Sequence, residues 1–112
     1  MTITQHTADT VSVALAENVL GGADAAEFSK HIQSLAEQGV RRVLVDMSAV
    51  RVMNSSGLGM LVAAHSTLRK FGGAVDFAAV PEKVTSLLAM THLNTVFKSY
   101  ASVDEALVQQ DS

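Results

Sequence analysis

The chain has 112 residues, 48% of them apolar and 17% charged, with a formal net charge of −3. That length suits one domain with a single core, and so little charge argues against wholesale disorder. Cysteine is absent, the aromatics are four Phe and one Tyr, and the eight basic residues are scattered apart from Arg41-Arg42 and Arg69-Lys70, which excludes disulfides, thiolate metal sites, cysteine nucleophiles and a basic, base-stacking surface for nucleic acid.

Met1-Thr2-Ile3-Thr4-Gln5 lacks the basic start and apolar run of a secretory signal, and no apolar run approaches membrane-spanning length. The expected setting is cytoplasmic, without a membrane partner. Residues 3–6 and 11–15 alternate apolar and polar side chains, predicting a hairpin with Asp9 in the turn. Residues 18–23 read as a connection. Asp24, with Glu27 three positions on, predicts a capped helix whose apolar face is Phe28, Ile32 and Leu35, ending at Gly39. Val43-Leu44-Val45, closed by Asp46, predicts a central strand covered on both faces.

A loop ending in Asn54-Ser55-Ser56-Gly57 leads to a second helix, predicted from about Leu58 to Lys70, with Leu58, Leu61, Val62, His65 and Leu68 inward. Gly72-Gly73 stops it, and residues 74–80 return as a strand. Pro81 starts the next helix, carrying Val84, Leu87 and Leu88, with Leu93 at its exit. Val96 and Phe97 predict a short strand. Ser102 and Glu105 form a capping box for a last helix with Val103, Ala106 and Leu107 as its apolar contacts. Strands alternating with helices predict one α/β domain over residues 1–112, with a largely parallel or mixed sheet. The N-terminal hairpin supplies its antiparallel edge, a possible surface for self-association.

Open α/β sheets place working loops beyond the C-terminal ends of their strands, which singles out Asn54-Ser55-Ser56-Gly57. Asn54, Ser55 and Ser56 can each cap the helix, Gly57 allows another chain to approach, and unpaired first-turn amides favour an anion. A phosphate on Ser55 would meet a field worth about 0.3–2 kcal/mol while bringing roughly −1.5 to −2 charges to a partner-facing surface. From these four residues alone, an ordinary loop and cap is the simpler reading.

Asp46 reads as a structural acceptor, since one carboxylate does not define a metal site. His6, His31, His65 and His92 have no metal-ligand spacing, and His65 falls beside the inward helical stripe as a packed boundary residue. Serine hydrolysis, the enzyme-class alternative, needs a histidine beside Ser55 and an oxyanion site; the sequence places neither. Gly57-Leu58-Gly59 lacks the spacing and lysine of a phosphate-binding loop, so no cofactor is expected. Met47, Met53 and Met90 read as packing; Met60, just after the serines, reads also as an apolar partner contact.

The run from Val43-Leu44-Val45-Asp46 through Asn54-Ser55-Ser56-Gly57-Leu58-Gly59-Met60-Leu61 resembles the central signature of STAS domains, and more narrowly that of bacterial anti-sigma factor antagonists. Gly72-Gly73, Val80-Pro81-Glu82-Lys83-Val84, residues 87–97 and Ser102-Val103-Asp104-Glu105-Ala106-Leu107 resemble the family's continuation in the same order. The resemblance covers about residues 9–108. It implies a four- or five-stranded mixed sheet with flanking helices and a non-enzymatic protein. It also implies that Ser55 is phosphorylated by a partner serine kinase of the anti-sigma factor type. In such systems the unphosphorylated antagonist binds that kinase and releases a sigma factor, and a serine phosphatase resets the switch. Ser56, Gly57 and Leu58 would lie in the docking segment, and Asp24 would match a family position near the first helix.

Two departures stand out. Asn54 occupies the place of the family's usual aspartate; it can cap and hydrogen-bond, but supplies no charge or general base. Ala16-Glu17-Asn18-Val19-Leu20-Gly21-Gly22-Ala23-Asp24 replaces the family's shorter glycine-containing pattern, which points toward a different partner pair. Two alternatives follow: a constitutive scaffold that docks without phosphorylation, or a regulator of secretion or biofilm formation.

Overall fold

In the computed structural model, residues 1–108 are described. β1 (Thr2–Gln5) and β2 (Thr10–Ala14) form the expected antiparallel hairpin, with Thr2 opposite Ala14. Asp9 organises its turn. The carboxylate accepts from the Thr7 and Thr10 hydroxyls at 2.9 and 3.1 Å, which holds its pKa below the ordinary value. β2, β4 (Arg42–Asp46) and β6 (Ala74–Ala78) are mutually parallel, and β7 (Ser99–Tyr100) adds a parallel edge. The result is a five-stranded mixed sheet in the order β1-β2-β4-β6-β7. β4 lies at its centre, and Val43, Leu44 and Val45 are fully buried, as a strand covered on both faces requires.

The two faces are covered unequally. Val11, Val13, Val43, Val45, Val75 and Phe77 form one core with α1 (Ala23–Glu37), α2 (Ser55–Lys70) and α3 (Glu82–Met90). Side chains alternate across a strand, so Ser12, Leu44 and Asp76, aligned across β2, β4 and β6, occupy the opposite face. There α4 (Val103–Val108) docks through the Arg42 guanidinium, which donates to the Ala106 carbonyl at 2.8 Å. Arg42 Nε also pairs with the Asp76 carboxylate at 3.0 Å. Ser102 caps α4 as expected, its hydroxyl accepting from Glu105 N–H at 3.0 Å, but the Glu105 carboxylate accepts from the Ala101 amide instead of the Ser102 amide that a reciprocal box requires.

Several element boundaries differ from the sequence-based expectation. Residues 18–23 are not a plain connection: Asn18–Val19 is a short strand, β3, parallel to β5 (Val52–Met53). Asp24 does not cap α1. Gly21 and Gly22, at φ +81° and +68°, turn the chain into the helix two residues earlier, with Gly22 as the N-cap, leaving Asp24 inside the first turn. Pro81 is the N-cap of α3 rather than its first residue. Val96 and Phe97 are not a strand; Phe97 turns inward and stacks on Phe77, with centroids 4.3 Å apart, and pairing resumes at Ser99. Among the described residues no helix is long and apolar enough to cross a membrane.

Candidate functional site

Beyond the end of β4, the chain is tied to the segment after β2 before it enters α2. Arg51 and Val52 N–H both donate to the Glu17 carbonyl (2.8 and 3.0 Å), and Asn54 N–H donates to the Val19 carbonyl at 3.3 Å. With the β3–β5 ladder, these bonds fix where α2 begins. Asn54 is the cap: its backbone is extended, Oδ1 accepts from Gly57 N–H at 2.8 Å, and its carbonyl accepts from Leu58 N–H at 3.0 Å. The helix therefore starts at Ser55, three residues before the expected Leu58. Ser55 and Ser56 form its first turn rather than a loop.

Both serines are exposed, and neither hydroxyl makes a hydrogen bond among the described residues. Gly57, expected to admit another chain, instead admits this one. A Cβ there would stand 2.0 Å from the Val19 carbonyl oxygen. Gly21 lies against Ser56 in the same way, its would-be Cβ 2.9 Å from Ser56 Cβ. Gly59, by contrast, is exposed with nothing within 4 Å, and shares the Ser55 face at i+4 spacing.

Leu58 and Met60 were expected among the partner contacts, but they are 3% and 8% exposed and belong to the core. Their helical positions point them under α2, so they seat the first turn instead of presenting it. Met60 reaches a cavity of about 140 Å³ that Leu15, Val19, Phe28, Asp24 and Glu27 also line. Asp24 is thus brought to the rim of the same region as Gly21 and the α2 entrance. Sequence reasoning missed the exposed apolar pair Leu20 and Val52, 48% and 49% exposed, one on the loop against Ser56 and one on β5. In the sequence each resembles a core residue; in the fold Val52 lies on β5 and Leu20 follows β3 directly.

Asp46 accepts from Ser48 N–H at 3.0 Å, the structural role expected of it. No group of three His, Asp or Glu could hold a metal among the described residues. His65 is a boundary residue whose Nδ1 accepts from Val75 N–H at 3.2 Å and whose ring meets Phe97 edge-on. Burial, then the nearby Arg69 charge, lower its pKa, with Asp76 opposing. It lies ten residues along α2 from Ser55, about 15 Å at the helical rise, and cannot serve as that serine's base.

A five-stranded mixed sheet with flanking helices thus carries an exposed serine pair at the entrance of one helix. The STAS domain model matches residues 3–106, and the chain belongs to that family, whose domains are regulatory and non-catalytic. It is homologous to bacterial anti-sigma factor antagonists. A Thermotoga maritima protein of that name is 25% identical over 100 residues, 88% of each chain. A Thermotoga neapolitana homolog of TM1081, also named an anti-sigma factor antagonist, is 29% identical over 70 residues; that match spans 62% of this chain and 62% of the relative. The anti-sigma factor antagonist SpoIIAA, in its unphosphorylated form, superposes with a TM-score of 0.82 at 18% identity, covering 95% of this chain and 91% of that one, a likeness of fold.

Proposed function

We propose that this protein is a phospho-switch in a partner-switching system, docking on an anti-sigma-factor-type serine kinase when Ser55 is a free hydroxyl and leaving it when Ser55 carries phosphate. The observation that carries the reading is Ser55 itself, exposed and unbonded in the first turn of α2, within a chain homologous to anti-sigma factor antagonists. Phosphate at a helix N-terminus is locally tolerated, worth about 0.3–1 kcal/mol. Against a closely apposed partner without a compensating cation, the same group is repelled and desolvated. The modification thus leaves the fold intact and acts on the complex.

The docking face comprises Asn54, Ser55 and Ser56, with Asp24 at its edge and Leu20 and Val52 as apolar anchors. Gly57, Leu58 and Met60 act from below, by holding the first turn against β3 and the core. Asn54 replaces a charged neighbour with a neutral cap, so the kinase must bring its own base. A serine phosphatase would reset the switch. The site is tested by incubating the chain with such a kinase and Mg-ATP, then mapping phosphate by mass spectrometry in wild type, Ser55→Ala and Ser56→Ala. The proposal expects one phosphate, lost only in Ser55→Ala. Phosphate retained in Ser55→Ala, or none in the wild type while the complex still forms, contradicts it; the latter result identifies a constitutive scaffold.

A further inference from the structure

Four of the eight lysines and arginines gather in one place. Arg41, Arg42, Arg69 and Lys98 line a cleft of about 580 Å³ at the start of β4 and β6, at the opposite end of α2 from Ser55. Among the described residues Asp76 is the one carboxylate lining it, and its Oδ2 is already paired with Arg42. In a chain of net charge −3, such a cluster is a local excess of positive charge that favours an anion.

Two of the cations are fixed in advance. Arg41 NH1 donates to the Ala36 and Val40 carbonyls, each at 2.9 Å, with its guanidinium 5.8 Å above the Phe71 ring. Arg42, held by Asp76 and Ala106, lies 5.6 Å over the Tyr100 ring. Arg69 and Lys98 make no ion pair among the described residues. His65 lies one helical turn before Arg69 on the same face, and because Nδ1 accepts from Val75 N–H, its neutral ring carries the proton on Nε2. A cleft wall therefore holds a neutral donor beside unpaired cations. Val96, 45% exposed, adds an apolar wall.

We propose that this cleft binds a small phosphorylated molecule, with Arg69, Lys98 and His65 Nε2–H taking the phosphate oxygens between the two anchored arginines. The excess of cations over carboxylate matches a polyvalent anion, and guanidinium forks suit phosphate geometry. The volume falls within the range of small-molecule sites, about 300–1,000 Å³, leaving room beyond one phosphate for an organic remainder against Val96.

Titrating the 15N-labelled chain with phenyl phosphate at constant ionic strength, followed by NMR, tests the assignment. The expected result is saturable shifts at His65, Gly73, Ala74 and Lys98, and a rise in the His65 pKa on saturation. Arg69 and Asp76 act on that ring, and Arg41, Arg42 and Lys98 line the same cleft, so the bound dianion offsets the surrounding positive field. The double variant Arg69→Gln/Lys98→Gln weakens binding by about tenfold or more, and each single variant shows a smaller loss in the same direction. Orthophosphate binds more weakly than phenyl phosphate. Shifts that never saturate, that chloride reproduces at the same ionic strength, that persist in the variants, or that fall on residues 55–58 instead would overturn it.

Discussion

Replacing Gly57 with alanine places a Cβ 2.0 Å from the Val19 carbonyl oxygen, 2.7 Å from its carbon and 3.0 Å from Val19 Cγ1. Either β3 or the first turn of α2 must then move, and neither is free to. Asn54 N–H is bonded to that same carbonyl, β3 is laddered to β5, and Gly57 N–H is held by Asn54 Oδ1. Overpacking ordinarily costs about 1–3 kcal/mol, and a backbone neighbour puts Gly57→Ala at the upper end, about 3 kcal/mol. Gly59→Ala is the matched control: its Cβ meets nothing within 4 Å, and alanine is favoured over glycine in an exposed helix by about 0.5–1 kcal/mol. Urea unfolding followed by circular dichroism reads both variants. The expected outcome is an unchanged m with the midpoint lowered for Gly57→Ala and raised for Gly59→Ala. At about 4–8 °C per kcal/mol for a domain of this size, the two should differ by roughly 15 °C or more in Tm. A loss below about 0.5 kcal/mol for Gly57→Ala would refute the close approach that seats Ser55.

Asn54→Ala removes the α2 cap and should cost about 1 kcal/mol, whereas Asn54→Asp retains an acceptor and should stay within a few tenths of wild type; equal stability of Asn54→Ala in urea unfolding would contradict the capping role. His65 has its folded pKa below the ordinary 6.5 because of burial and Arg69. The folded chain therefore binds fewer protons there than the unfolded chain. The His65 contribution is complete above about pH 6.5 and is lost as pH falls through the window beneath it. His65→Gln should flatten the pH dependence of stability between about pH 7 and 5; an unaltered slope counts against it. Asp76→Asn leaves Arg42 without its charged partner in a largely buried position, costing about 1–3 kcal/mol. Hydrogen exchange should quicken in residues 103–108, which Arg42 holds through Ala106; unchanged protection there would contradict that tether.

What the sequence reveals is what local chemistry decides. Val43-Leu44-Val45 is too short for a helix and too apolar for an edge, so a central strand follows. The Ser102–Glu105 pair caps its helix where its spacing says it should. Choices between equivalent local options need the rest of the chain. Asn54, Ser55 and Ser56 are all competent caps; Asn54 prevails because its N–H is tied to Val19. Asp24 is a good cap in isolation, but Gly21 and Gly22 set the turn before it. β3 and β5 are two residues each, too short to show alternation, so the exposure of Val52 on β5 and of Leu20 just after β3 is not legible from pattern. Phe97 is apolar because it plugs the core beside Phe77, not because it lies in a strand. The cationic cleft was invisible for a related reason: its residues come from four separate stretches of chain.

The central claim is that one exposed hydroxyl at the head of α2 governs complex formation. Installing phosphoserine at position 55 by semisynthesis, and measuring its affinity for the partner serine kinase by isothermal titration beside the unmodified chain, tests it most directly. The expected result is at least about a tenfold loss of affinity, some 1.4 kcal/mol, with an unchanged melting profile for the modified chain alone. Affinities equal within about twofold would contradict it.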